Sequence, residues 1–108
     1  MPEIPPLIAA LRDATNSQDW PAFIALFHDD AVVDDWGSVY RGTQAIKGWS
    51  DREMIGAKGT LTITRVVTDK SDVIAVDTDW KSSFFSGAGR FTLTVKDGKI
   101  SELRISES

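Results

Sequence analysis

Apolar positions recur at helical spacing in the first half of the chain and at every second residue in the later half, so helices are expected first and strands after them. Leu7, Ile8, Leu11 and Thr15 fall at i, i+1, i+4 and i+8, and Pro5 and Pro6 suit the opening turn of the helix that carries them. Asn16-Ser17-Gln18-Asp19 breaks the pattern. Asp19 then caps a second helix with Trp20, Phe23, Ile24 and Phe27 as its stripe, ended by His28-Asp29-Asp30. Ala31 to Asp35 is short, β-branched and bounded by Gly37, the marks of a strand. Gly42-Thr43 opens a third helix, capped by Thr43, with Ile46, Trp49 and, a turn further, Glu53 on one face; Gly56 and Gly59 close it.

From residue 60 the period is two. Leu61, Ile63, Arg65 and Val67 oppose Thr62, Thr64 and Val66, and Asp69-Lys70-Ser71-Asp72 makes a turn. The next strand runs from Val73 to about Phe84. Its buried side is Ile74, Val76, Thr78, Trp80, Ser82 and Phe84, and its other side is Val73, Ala75, Asp77, Asp79 and Lys81. Gly87-Ala88-Gly89 is read as the hairpin into Arg90 to Lys96, where Phe91, Leu93 and Val95 alternate with threonines. Asp97-Gly98 signals a further hairpin before a last strand, Lys99 to Ser106. Helices followed by a meander predict one α+β domain over residues 1–108. In it a curved antiparallel or mixed sheet wraps three helices into a cone with a concave mouth, where small ligands bind.

Composition narrows the function more than the fold. With 42% hydrophobic and 26% charged residues the 108-residue chain sits near globular averages, against disorder or a coiled coil. A net charge of −4 with scattered Lys and Arg lacks the basic patch that nucleic acid requires. Absence of cysteine excludes disulfides, thiolate nucleophiles and zinc knuckles. No run approaches the roughly 18 apolar residues of a membrane span. Met-Pro-Glu-Ile-Pro-Pro at the start lacks the basic and apolar segments of a leader, so no membrane association and a cytoplasmic residence are expected.

The order of elements, with Leu26-Phe27-His28-Asp29-Asp30-Ala31-Val32-Val33-Asp34-Asp35 and Tyr40-Arg41-Gly42-Thr43-Gln44-Ala45-Ile46, resembles the nuclear-transport-factor-2-like superfamily in its SnoaL-like branch. The resemblance spans nearly the whole chain. It implies the cone fold, a homodimer through the sheet face, and chemistry drawn from a range that includes ketosteroid isomerases, polyketide cyclases and dehydratases. In the isomerase branch the Asp-Asp-Ala-x-x-x-Asp pattern ends on the proton-shuttling base, which here falls on Asp35. The oxyanion hole of that isomerase uses a tyrosine and a protonated aspartate. Here Leu11 stands near the first of these places, and Phe91 with its neighbours occupies the fourth strand.

Strand period gives Asp35 independent support, since an inward Val33 turns Asp35 inward and Asp34 outward. A carboxylate set among tryptophan and phenylalanine suits general acid–base work. The alternative is a turn carboxylate before Trp36-Gly37. Glu53 is either a second pocket acid or a solvated helix-end residue. His28 is read as a cation at a helix C-terminus. Asp77 and Asp79 are read with Lys81 as a solvated or dimer-facing strand surface rather than metal ligands. Arg90 is either a rim contact or a surface charge. The aromatic residues are core first, but Trp49, Trp80, Phe84 and Phe91 are placed to line the open end. The expectation is a binder of an apolar or aromatic small molecule, without cofactor or metal, in which Asp35 transfers a proton in an isomerase, cyclase or dehydratase step. The rival is a non-catalytic dimerisation or protein-interaction module.

Overall fold

A computed structural model describes residues 3–83 and 85–108. Helix α1 (Pro6–Asn16) opens on Pro6, whose missing N–H costs nothing in a first turn, and buries Ile8, Leu11, Ala14 and Thr15 along one face. Helix α2 (Trp20–Ile24) is capped by Asp19, whose carboxylate accepts from the Ala22 N–H at 3.1 Å. Strand β1 (Phe27–Asp35) follows, then β2 (Ser38–Arg41), helix α3 (Thr43–Glu53), and strands β3 (Thr60–Asp69), β4 (Val73–Lys81), β5 (Ser86–Lys96) and β6 (Lys99–Ser106). They form one curved six-stranded sheet of order β2-β1-β6-β5-β4-β3. All neighbouring strands are antiparallel except β1 and β6, which run parallel. The sheet is therefore mixed, and it wraps the N-terminal helices as the element order predicts.

The core lies between the concave face and the helices. Ile8 and Leu11 of α1, Phe23 of α2 and Ile46 and Trp49 of α3 meet Val33, Val76, Leu93 and Leu103 from the strands, all at or below 1% exposure. That shared burial, more than any local propensity, orders the short α2. Phe23 stacks at 5.1 Å on Phe27, and Trp20 at 5.8 Å on Phe23.

Several local expectations change. The second helix stops at Ile24 and Phe27 already belongs to β1, because β6 draws the chain into the sheet: the Ile100 N–H donates to the Leu26 carbonyl at 2.8 Å and Phe27 pairs with Ile100. His28 therefore lies on a strand beside a register shift, its Nε2 against the Lys96 carbonyl at 2.5 Å, rather than at a helix C-terminus. Gly42, at φ +86, is the cap of α3, and Thr43 is its first helical residue. Register also shifts between Ile63 and Arg65. Past that point Val66 faces Val76 on the inner side and Arg65 faces Asp77 on the outer, so Arg65 does not share the side of Leu61 and Ile63, and Val67 falls in a second shift between Val66 and Thr68. Strand β4 ends at Lys81, and the turn into β5 is closed by Ser82 and Phe85, the Ser82 N–H donating to the Phe85 carbonyl at 3.0 Å. Gly87-Ala88-Gly89 is part of β5, paired with Trp80, Asp79 and Thr78, and is not the hairpin. Asp97 and Gly98, at φ +51 and +79, make the tight turn expected of them.

Candidate functional site

Alternation along β1 fixes the site's first residue. Val33 is fully buried on the concave face, and Asp35, two positions on, projects to the same side half-buried. Asp34 projects to the other side, where one carboxylate oxygen accepts from the Gly37 N–H at 2.9 Å and the other lies 3.8 Å from Arg104. Trp49 reaches Asp35 from α3. Its indole Nε1–H donates to Asp35 Oδ2 at 2.9 Å, while the ring is 1% exposed and 6.3 Å from that of Tyr40. An indole nitrogen is a donor only, so the bond orients one carboxylate oxygen and leaves the second without a hydrogen bond among the described residues.

Asp35 and Trp49 stand on the wall of a cavity of about 510 Å³. Trp80 and Phe91 form its apolar sheet side together with Ile105, and Met54 and Ala57 close it beyond α3. Thr78, 3% exposed, adds a hydroxyl to a largely apolar surface. Three charged residues border the space: Asp35, Glu53 and Arg52. The Arg52 guanidinium folds back along α3, its carbon 5.9 Å from the Tyr40 ring, over the open side of Gly48, where an added Cβ would sit 3.4 Å from a guanidinium nitrogen. No helix among the described residues is long and apolar enough to cross a membrane. Among those residues no group of three or more His, Asp or Glu side chains gathers as a metal site.

Residues 8–103 match the SnoaL-like domain. The chain belongs to that family. No curated protein matches the sequence. Among solved structures, a Sinorhizobium meliloti protein described as a candidate polyketide cyclase is 26% identical over 95% of this chain and 95% of its own, with a TM-score of 0.83. A computationally designed 17-OHP binder is 24% identical over 94% of this chain and 88% of its own, at a TM-score of 0.83. A Catenulispora acidiphila protein of ketosteroid isomerase-like fold, solved in complex with trimethylamine, is 19% identical over 98% of this chain and 88% of its own, at 0.80. The last two likenesses speak to the fold alone. The aromatic cavity of this SnoaL-like chain is suited to a small apolar ligand.

Of the residues expected to line it, Asp35, Trp49, Glu53, Trp80 and Phe91 do so together, Glu53 from an exposed position. Phe84 lies outside the described residues. Arg90 does not reach this cavity. It pairs across strands with Asp77 at 2.7 Å on the outer face, where Asp79 and Lys81 are exposed as expected. That contact holds the Asp77 carboxyl below its usual range and the Arg90 guanidinium above its own.

Trp36, Arg52, Thr78, Phe85 and Ile105 are lining residues that period counting did not single out for the site. Phe85 escaped because alternation was carried past the end of β4. Trp36 sits in a turn, where no period applies. Thr78 and Ile105 do follow strand alternation, so their place on the inner face was available from the sequence, but neither carries the chemistry that draws attention.

Proposed function

We propose that this SnoaL-like protein binds a flat apolar small molecule in the cone and that Asp35 moves a proton between two positions of that molecule, as in an isomerisation or cyclisation. The observation that carries the reading is the Trp49 Nε1–H to Asp35 Oδ2 hydrogen bond of 2.9 Å on the cavity wall. In a proton shuttle a carbon–hydrogen bond of the ligand breaks, the proton goes to the second Asp35 oxygen, and the same proton is returned at another atom. Reactant and product are isomers, so the step needs no further reactant. Electron density left on the ligand oxygen would find its positive partner in Arg52, the cation among the described lining residues. Apolar walls withhold competing water. Likeness to a candidate polyketide cyclase supports a ring-bearing ligand.

A cone plugged by side chains would favour a purely interacting module; an open space of about 510 Å³ with a carboxylate on its wall favours the ligand reading. Self-association through the outer sheet face is part of the proposal. That face carries a groove lined by Arg90, Thr92, Glu102 and Arg104, and a monomeric mass in sedimentation equilibrium would remove this part.

The test uses 5-nitrobenzisoxazole, an activated carbon acid whose C–H deprotonation breaks its N–O bond and releases a coloured phenolate. Asp35→Asn should slow the reaction by about 100-fold or more, the usual weight of a positioned base. Binding of the apolar fluorophore 1-aminoanthracene should be nearly unchanged. Equal rates in the variant and the wild type would remove Asp35 from the chemistry.

A further inference from the structure

Thr78 is the most enclosed polar residue of the cavity wall. It is 3% exposed, whereas Asp35 and Ser82 are half-buried and Arg52 and Glu53 are exposed. Its hydroxyl has no hydrogen-bond partner among the described residues, although every fully enclosed polar side-chain atom among them has one. The Thr78 oxygen is therefore uncovered, and the space it opens on is the cavity that the residue lines.

The surroundings of the hydroxyl are apolar. Strand alternation places Thr78 on the concave face between Val76 and Trp80, and register sets Ile63 of β3 and Gly89 of β5 beside it. Val76, Ile63 and Gly89 bring no polar side-chain atom, and no hydrogen bond joins Thr78 to the Trp80 indole. On the β5 side the missing side chain of Gly89 keeps the hydroxyl open: an added Cβ would stand 3.8 Å from Thr78 Oγ1 and 3.3 Å from the Ser106 carbonyl oxygen. A hydroxyl held in such a place without a protein partner is destabilising. Valine has almost the same shape, favours a strand as strongly and carries no such group, so packing and propensity alone favour valine here. Strands β6 and β5 lie between β1 and β4, so Thr78 meets a part of the ligand other than the one next to Asp35.

We infer that Thr78 is a specificity-determining residue whose Oγ1–H donates to an oxygen of the ligand, so that the cavity takes ring compounds bearing a ketone or hydroxyl group over the corresponding hydrocarbons. This rests on the reading of the cavity as a small-molecule site and is independent of the role given to Asp35. The test uses 1-tetralone and tetralin, which share a fused-ring skeleton and differ by the ketone. Displacement of 1-aminoanthracene fluorescence gives the affinity of each for the wild type, Thr78→Val and Thr78→Ser. Thr78→Val should bind 1-tetralone about tenfold more weakly, the worth of one hydrogen bond, and tetralin as tightly as the wild type or more so. Thr78→Ser keeps the hydroxyl and should keep the wild-type ratio of the two affinities. The melting temperature of Thr78→Val should equal or exceed that of the wild type, because no protein contact of the hydroxyl is lost. An unchanged ratio in Thr78→Val, an equal fall of the ratio in Thr78→Ser, or a lower melting temperature of Thr78→Val overturns the contact and leaves the cavity reading standing. So does a wild type that binds 1-aminoanthracene but not 1-tetralone. A wild type that binds none of the three compounds overturns both.

Discussion

Trp49 on α3 and Asp35 at the end of β1 are 14 positions apart in the chain and joined by one hydrogen bond, indole Nε1–H to Oδ2 at 2.9 Å. The bond ties the helix layer to the sheet at the cavity wall, and it uses a donor that cannot exchange roles with its acceptor. Trp49 is a positioning residue in this arrangement, acting through the carboxylate.

Trp49→Phe keeps an aromatic ring at a site that is 1% exposed and removes the donor. A hydrogen bond to a charged group is worth about 1.5–3 kcal/mol, so kcat for 5-nitrobenzisoxazole should fall about tenfold to a hundredfold if orientation of Asp35 is what the bond supplies. KM should move much less. A merely structural role would instead lower the melting temperature while kcat at low temperature stays that of the wild type.

The site was legible where one period governs a whole element. Val33 and Asp35 share a face because β1 keeps its alternation to the end, and Phe91 and Leu93 face the core for the same reason in β5. The sequence became opaque where tertiary pairing overrides local pattern. Phe27 fits the helical stripe of Trp20 and Phe23, yet its pairing with Ile100 takes it into a strand. The register shift after Ile63 moves Val66 inward, and no residue type announces it. Ser38–Arg41 is too short to show alternation and becomes β2 only because the turn at Trp36-Gly37 folds it onto β1. Glycines gave a mixed signal. Those at 87 and 89 read as a turn, but they are a strand stretch in which missing side chains leave room at the cavity.

Asn16, at the end of α1, acts as a partner for the exposed edge of β3. Its amide donates to the Leu61 carbonyl at 3.0 Å and its carbonyl accepts from the Leu61 N–H at 2.7 Å. Those backbone groups belong to an edge strand, whose unpaired polar groups invite association with other chains. Asn16→Ala should lower stability by about 1–2 kcal/mol, since water at this half-exposed place replaces part of the lost pair. The urea midpoint reads this directly. An unchanged midpoint would mean the edge needs no cover.

Gly59 precedes β3 and lies against Trp80 of the cavity wall. An added Cβ would fall 2.5 Å from Trp80 Cζ2 and 2.8 Å from the Lys81 carbonyl oxygen, the second of which belongs to the backbone. Gly59→Ala should therefore cost about 1–3 kcal/mol through overpacking. Because the displaced indole lines the cavity, 1-aminoanthracene affinity should change along with the melting temperature. A variant equal to the wild type in both would show that Trp80 can move without consequence.

The outer face offers a prediction in pH. Asp77 accepts from Arg90 Nε at 2.7 Å across β4 and β5, and this bond, opposed by desolvation and aided by the charges of Arg90 and Arg65, holds its pKa below the usual 3.8. A carboxyl whose folded value is the lower one binds protons more readily in the unfolded chain, so its contribution is complete above 3.8 and is lost as pH falls through the folded value. The difference in urea midpoint between the wild type and Asp77→Asn should therefore hold steady from neutrality to about pH 5 and shrink on further acidification. With Arg90 still a third exposed, added salt should narrow the same difference at neutral pH. A gap that widens in acid would reverse the sign of the linkage and exclude the Arg90 contact as its origin.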